Sequence, residues 1–191
     1  MLDISFGDIK YSEELYTQKL SKCYFSQKNA DYIKSIQSRS NESSRTSSLC
    51  ALYELYCLLE KNGIDASNFE IKKTSDGKPY FVNCDIYFSI SHTDTKFAVA
   101  ICDSPIGIDI EDKTLTLDRM QGIAKRYFTK DEIEYISDRE SFLKVWTFKE
   151  AYAKMKGVAL SKIIGKETPH VPKVNITYNE YNGAVICVCY E

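Results

Sequence analysis

Residues 105–111, PIGIDIE, alternate without a break: Ile106, Ile108 and Ile110 take every second position, and Gly107, Asp109 and Glu111 the others. Side chains on a β-strand point to opposite faces with a period of two. A strand here therefore presents one face of isoleucine and one face with two carboxylates and a glycine. The apolar run KFAVAICD precedes it directly, separated by Asp103 and Ser104, so the two read as successive strands. The acidic face has two readings. It is the solvated side of a half-buried strand, or it is a hard-cation site, because magnesium takes oxygen ligands, commonly one or two carboxylates together with substrate phosphates. On the second reading, Gly107 leaves room for a ligand to come close to the backbone.

Around this strand the pattern is mixed. Residues 2–10 read as a strand and 12–38 as one or two helical pieces. Leu49, Leu52, Tyr53, Tyr56 and Leu59 give a helix from about Glu42 to Asn62 with Gly63 as its stop. FEIKK, a turn at SDGKP, YFVN and DIYFSIS follow as strands. In the second half a helix runs near Leu117 to Tyr127, Thr129 and Glu132 have capping-box spacing, and a further helix spans about Ser141 to Lys156 before Gly157. The tail VNITYNEYNGAVICVCY is two strands around Asn182-Gly183. Each half thus contains helices and a small antiparallel sheet, an α+β pattern.

A hydrophobic share of 43% with 27% charged residues is globular composition, which sets disorder aside. The 191 residues suit one large domain or two halves. Net charge is −2 with no run of like charge, so nucleic acid is excluded as main partner, since counterion release needs a basic stripe. Seven cysteines without a CxxC pair indicate a reducing, cytoplasmic setting. Cys187 and Cys189 share a strand face, but with His170 the only nearby histidine they are a poor zinc set. The start, MLDISFGDIKYSEELY, lacks the basic and apolar regions of a secretory signal, and no segment is long and apolar enough to span a membrane. The expectation is a soluble protein.

Three further stretches carry chemistry. In WTFKEAYAKMKG (146–157), Trp146, Glu150 and Lys154 fall on one helix face, and Phe148, Tyr152 and Met155 on another. Glu150 and Lys154 alone are an ordinary surface pair. Should Glu150 face Asp109 and Glu111, three buried carboxylates would require a cation. FSISH (88–92) ends a strand with Ser91 and His92, either phosphate donors or a loop histidine with a local bond. DGKP (76–79) is a turn whose Lys78 can serve an anion.

Taken in order, GKP, FSISH, PIGIDIE, IAKRYFTKDE and FLKVWTFKEAYAKMKG resemble the ordered signature of the 4′-phosphopantetheinyl transferases of the surfactin-synthetase-activating type, over about Gly77 to Leu160, with a further likeness around Arg45. The resemblance implies an enzyme, a holo-[acyl-carrier-protein] synthase. It would move 4′-phosphopantetheine from coenzyme A to a serine of an apo acyl or peptidyl carrier protein and release 3′,5′-ADP. It implies magnesium on Asp109, Glu111 and Glu150, and Lys154 on the pyrophosphate. His92 and Arg45 would hold the 3′-phosphate, with Lys34 and Arg39 as flanking candidates. Lys78, Pro79 and Ser91 would cradle coenzyme A, and Glu132 matches an acidic residue of the family's motif. Glu150 or a metal-held water would take the proton of the attacking serine. The implied fold is two similar α+β halves forming an intramolecular pseudo-dimer, 1–103 and 104–191, in a monomer.

A non-catalytic relative that binds coenzyme A or carrier proteins is the alternative, opposed by the intact set Asp109, Glu111, Glu150 and Lys154. A different magnesium-dependent phosphate enzyme lacks support, as neither a Walker loop nor a kinase signature is present. In residues 115–128, Leu117, Met120 and Ile123 are either a face for a carrier helix, steered by Arg119, Lys125 and Arg126, or the core side of an amphipathic helix.

Overall fold

The computed structural model describes residues 1–82, 84–112, 116–164 and 174–191. The chain opens with β1 (Leu2–Asp8), three short helices α1 (Glu13–Ser21), α2 (Tyr24–Lys28) and α3 (Ala30–Gln37), and the long α4 (Glu42–Lys61). A hairpin, β2 (Glu70–Lys73) and β3 (Pro79–Val82), leads to β4 (Tyr87–His92) and β5 (Lys96–Cys102). Then come β6 (Ile106–Glu111), α5 (Leu117–Tyr127), α6 (Lys130–Tyr135), α7 (Arg139–Lys156), a 3₁₀ turn at Leu160–Lys162, β7 (Asn175–Tyr181) and β8 (Ala184–Tyr190).

Local chemistry sets the boundaries. Asn41 Oδ1 accepts from Ser44 N at 2.8 Å and starts α4. The Thr129–Glu132 capping box forms and starts α6. Asp138 caps α7 by accepting from Ser141 N, so that helix begins two residues before Ser141. Gly157, at φ 67°, ends it in the left-handed region that glycine enters without strain. The stretch 12–38 holds three helices rather than one or two, because the chain leaves helical geometry at Cys23 and again at Asn29.

Two three-stranded antiparallel sheets form the centre, in the orders β1-β5-β4 and β6-β8-β7; β2 and β3 pair separately. Strand alternation decides what each face meets. On β5, Phe97, Val99 and Ile101 point to α4, where they join Leu49, Leu52 and Leu55. Ala98, Ala100 and Cys102 point the other way, into a layer completed by Ile106, Ile108, Ile110, Ile186 and Val188. On β8, Cys187 and Cys189 turn outward under Ala151, Tyr152 and Met155 of α7. The result is helix, sheet, sheet, helix.

One expectation changes here, and two open readings are decided. Gly107 does not make room for a ligand: a Cβ at this position would lie 1.9 Å from Ala151 O and 2.5 Å from Met155 N, so the glycine lets α7 rest on β6. The acidic face is not solvated either, since Asp109 and Glu111 are 2% and 9% exposed. Met120 is buried and Ile123 half-buried against Phe142 and Trp146, so α5 turns its apolar side inward, and only Leu117 of its trio is exposed. Cys187 and Cys189 are packed core thiols; His170 lies outside the described residues.

Candidate metal and phosphate site

The open edge of β6 is where the site is built. β8 pairs with one side of this strand. On the other, side chains replace a neighbouring strand: Ile108 N donates to Ser89 Oγ at 3.0 Å, Lys154 Nζ donates to Ile108 O at 3.1 Å, and Lys78 Nζ donates to Ile106 O at 3.0 Å. Satisfying a buried edge with side chains is a requirement, because an unmet backbone group costs about 1–3 kcal/mol. Here it also fixes two ammonium groups beside a pair of carboxylates.

Asp109 is held from two sides. Its Oδ1 accepts from Lys154 Nζ at 2.7 Å and from Ser91 Oγ at 2.8 Å, and Lys154 also donates to Ser91 Oγ at 2.9 Å. Its Oδ2 is buried and has no hydrogen-bond partner. Glu150, one turn before Lys154 on α7, lies 4.0 Å from that ammonium. Carboxylate oxygens of Asp109, Glu111 and Glu150 all fall within 4.8 Å of one another. At that spacing each pair repels by about 3 kcal/mol at an effective dielectric near 20, before any counter-charge. Oxygens on opposite sides of a magnesium ion lie about 4.2 Å apart, so a small side-chain adjustment would suit these three to a hard cation. The unpartnered Asp109 Oδ2 is the atom such an ion would satisfy.

A cavity of about 320 Å³ opens next to this group, with Arg39, Ser48, Lys73, His92 and Lys154 on its walls. Ser48 Oγ accepts from Arg39 Nη1 at 2.7 Å and lies 3.0 Å from His92 Nε2. Burial, then the charges of Lys154 and Arg39, push His92 below the ordinary imidazole range. The neutral ring can accept the Ser48 proton at Nε2. A second cavity of about 250 Å³, bordered by Lys78, Pro79, Ile90, Glu150 and Leu160, shares Lys154 with the first. Burial and the nearby Lys154 bring Lys78 down to about 8.

Asp109, Glu111, Glu150, Lys154, Ser91, His92, Lys78 and Pro79 therefore converge. Arg45 does not join them: its Nε pairs with Glu13 at 2.9 Å, and its Nη1 donates to the carbonyls of Arg39 and Ser40. It holds the segment that carries Arg39, and Arg39 is the arginine at the cavity. Lys34 is exposed and lies outside both cavities. Glu132 is also apart from the carboxylate group. It accepts from Thr129 N and pairs at 2.8 Å with Lys149, whose side chain is 1% exposed. Sequence reasoning missed Ser48, Lys73 and Lys149. The one signal for Ser48 was a serine pair on the apolar-patterned helix α4.

Residues 105–181 match the family model of the 4′-phosphopantetheinyl transferase superfamily. The chain is similar to that superfamily over these 77 of its 191 residues. Its relatives include the 4′-phosphopantetheinyl transferase gsp of Aneurinibacillus migulanus, 36% identical over 106 residues (52% of this chain, 43% of that protein). The transferase Sfp of Bacillus subtilis strain 168 is 33% identical over 106 residues (51% and 46%). HetI of Nostoc sp. PCC 7120 is 30% identical over 115 residues (53% and 47%). The chain spans about half the length of these curated relatives. The superfamily match begins at the residue before β6, so Asp109, Glu111, Glu150 and Lys154 all lie inside the matched residues. His92, Lys78 and Arg39 lie before it. No helix among the described residues is long and apolar enough to cross a membrane.

Proposed function

We propose that this protein transfers 4′-phosphopantetheine from coenzyme A to a serine of an apo acyl or peptidyl carrier protein and releases 3′,5′-ADP, with magnesium held by Asp109, Glu111 and Glu150. The observation that carries the reading is the carboxylate group with its unpartnered Asp109 Oδ2 and with Lys154 fixed at its edge. Magnesium, when bound, would supply positive charge to pyrophosphate oxygens.

The chain's own residues account for the rest. Phosphoryl transfer depends mostly on positioning and on stabilising charge. The serine oxygen forms a bond to the phosphorus that carries pantetheine, the bridging P–O bond to the other phosphate breaks, and the electron pair leaves on 3′,5′-ADP. Lys154 and Lys78 offset the charge on that leaving group. Arg39 and Lys73 present donors for the 3′-phosphate, in the place first given to Arg45, and His92 becomes a further donor when a phosphate favours its protonated form. A Glu150 carboxylate oxygen accepts the serine proton. Pro79 and Ile90 offer apolar surface where the two cavities adjoin.

We read the halves 1–103 and 104–191 as an intramolecular pseudo-dimer. Support comes from the matching strand orders, β1-β5-β4 and β6-β8-β7, each covered by one long helix. A cytoplasmic monomer is the accompanying proposal. The test incubates the protein with apo carrier, coenzyme A and magnesium and weighs the carrier. A phosphopantetheine mass gain that Glu111→Ala and Glu150→Ala each abolish, with the fold intact, is the expected result. Full turnover in both variants would remove the metal site, and no gain with any carrier would favour a non-catalytic relative.

A further inference from the structure

We propose that Asp112 and Lys96 form a clasp that positions Glu111 for metal binding; this rests on the metal reading above. β6 is held along its length by β8, but Glu111, opposite Val185, is the last paired residue. Glu111 therefore stands at the end of the ladder, where a strand frays unless the next residue is also held. Asp112 adds a restraint there. Its Oδ2 accepts from Lys96 Nζ at 3.0 Å and from the hydroxyls of Thr93 and Thr95 at 3.3 Å each. Its carbonyl accepts from Arg139 Nη2 at 2.9 Å, and the same guanidinium donates to Gly183 O.

The partner turn is itself rigid. Thr93 Oγ1 accepts the N–H of Thr95 and of Lys96, and Thr93 N donates to Lys96 O at 2.9 Å. Side-chain exposures of 12% for Lys96 and 25% for Asp112 set the pair apart from a solvated surface bridge, which contributes little. The turn begins one residue after His92, and Asp112 follows Glu111 directly. One ion pair therefore ties the proposed phosphate end of the site to a proposed metal ligand. Asp109 is held by Lys154 and Glu150 is carried by α7, while the clasp lies next to Glu111.

The test is a Mn²⁺ titration of the full chain, read by the electron paramagnetic resonance signal of free Mn²⁺, without coenzyme A or carrier. Thermal midpoints are recorded alongside. Wild type binds and Glu111→Ala does not. Asp112→Asn and Lys96→Met each weaken binding about tenfold, the lower end for loss of an outer partner of a metal ligand. The double variant is no weaker than either single one, because both remove one interaction, and Lys96→Arg restores affinity. A general structural role would lower the midpoint and leave the Mn²⁺ affinity of the folded protein unchanged. Affinities within about twofold of wild type in Asp112→Asn and Lys96→Met overturn the clasp and leave the metal reading standing. A wild type that binds no Mn²⁺, or a Glu111→Ala that binds as well, overturns the metal reading and the clasp with it.

Discussion

Gly107→Ala is the most demanding perturbation of this site, because one methyl group tests the seating of α7. Gly107 is not among the glycines with positive φ, so alanine meets no backbone strain there. The obstacle is contact. The new Cβ would lie 1.9 Å from Ala151 O, and for that separation to reach 3.0 Å the helix must retreat by about 1.1 Å. Ala151 O and Met155 N are backbone atoms, so no side-chain rotation relieves the clash. Overpacking of this kind costs about 1–3 kcal/mol, and the rigid obstacle argues for the upper end. For a chain of 191 residues, about 3 kcal/mol lowers the thermal midpoint by roughly 6–12 °C. The functional loss should be larger. Glu150 directly precedes Ala151 and Lys154 directly precedes Met155, so both withdraw from Asp109. Displacement of about 1 Å at a reacting centre costs about 100-fold in rate. Differential scanning fluorimetry, Mn²⁺ titration and the carrier mass assay measure the three effects. A Gly107→Ala protein with wild-type midpoint, Mn²⁺ affinity and rate would refute the argument that this glycine sets the distance between α7 and β6.

Other consequences follow from buried charge. Glu132→Ala removes an α6 cap and strands the buried Lys149 ammonium, so urea unfolding should show a loss of at least about 3 kcal/mol, partly recovered by adding Lys149→Met. His92 is held below its unfolded pKa of about 6.5; it therefore contributes stability that is present above that pH and lost as pH falls through the folded value. The urea midpoint of the unliganded protein should drop between pH 7.5 and 5.5, more steeply in wild type than in His92→Gln. Met120→Glu should destabilise the folded protein by about 3 kcal/mol or more, because it buries a charge against Phe142 and Trp146. A folded Met120→Glu protein with an unchanged midpoint would contradict the inward orientation of α5.

Much of this architecture was legible because it rests on local rules. The two long helices, the Thr129 capping box, the Asn182-Gly183 turn and the alternation of PIGIDIE are short-range patterns, and the structure follows each. What stayed illegible is long-range. The choice between Arg39 and Arg45 turns on Glu13, distant in sequence, which captures the guanidinium of Arg45. Gly107 read as a gap for a ligand because nothing local reveals which element lies above a strand face; a helix residue 44 positions away fills it. Met120 and Ile123 had two equal uses on paper, and the positions of Phe142 and Trp146 decided between them.

The lysines at the edge of β6 join these levels. An unpaired strand edge exposes carbonyls that need donors, and here the donors are Lys78 and Lys154, each holding one alternate carbonyl. Burial weighs on Lys78, and repulsion from the Lys154 ammonium adds to it: bringing Lys78 from 10.5 to about 8 corresponds to roughly 3 kcal/mol against its charged form. A polyphosphate entering between them would offset that cost, since an anion favours both charges. The side chains are already ordered by the carbonyls they occupy, so little rotamer freedom remains to be lost when such a ligand arrives. On the proposed function, the edge that a second strand could have paired would instead serve a phosphate chain, and part of the cost carried by Lys78 would be offset when that chain binds.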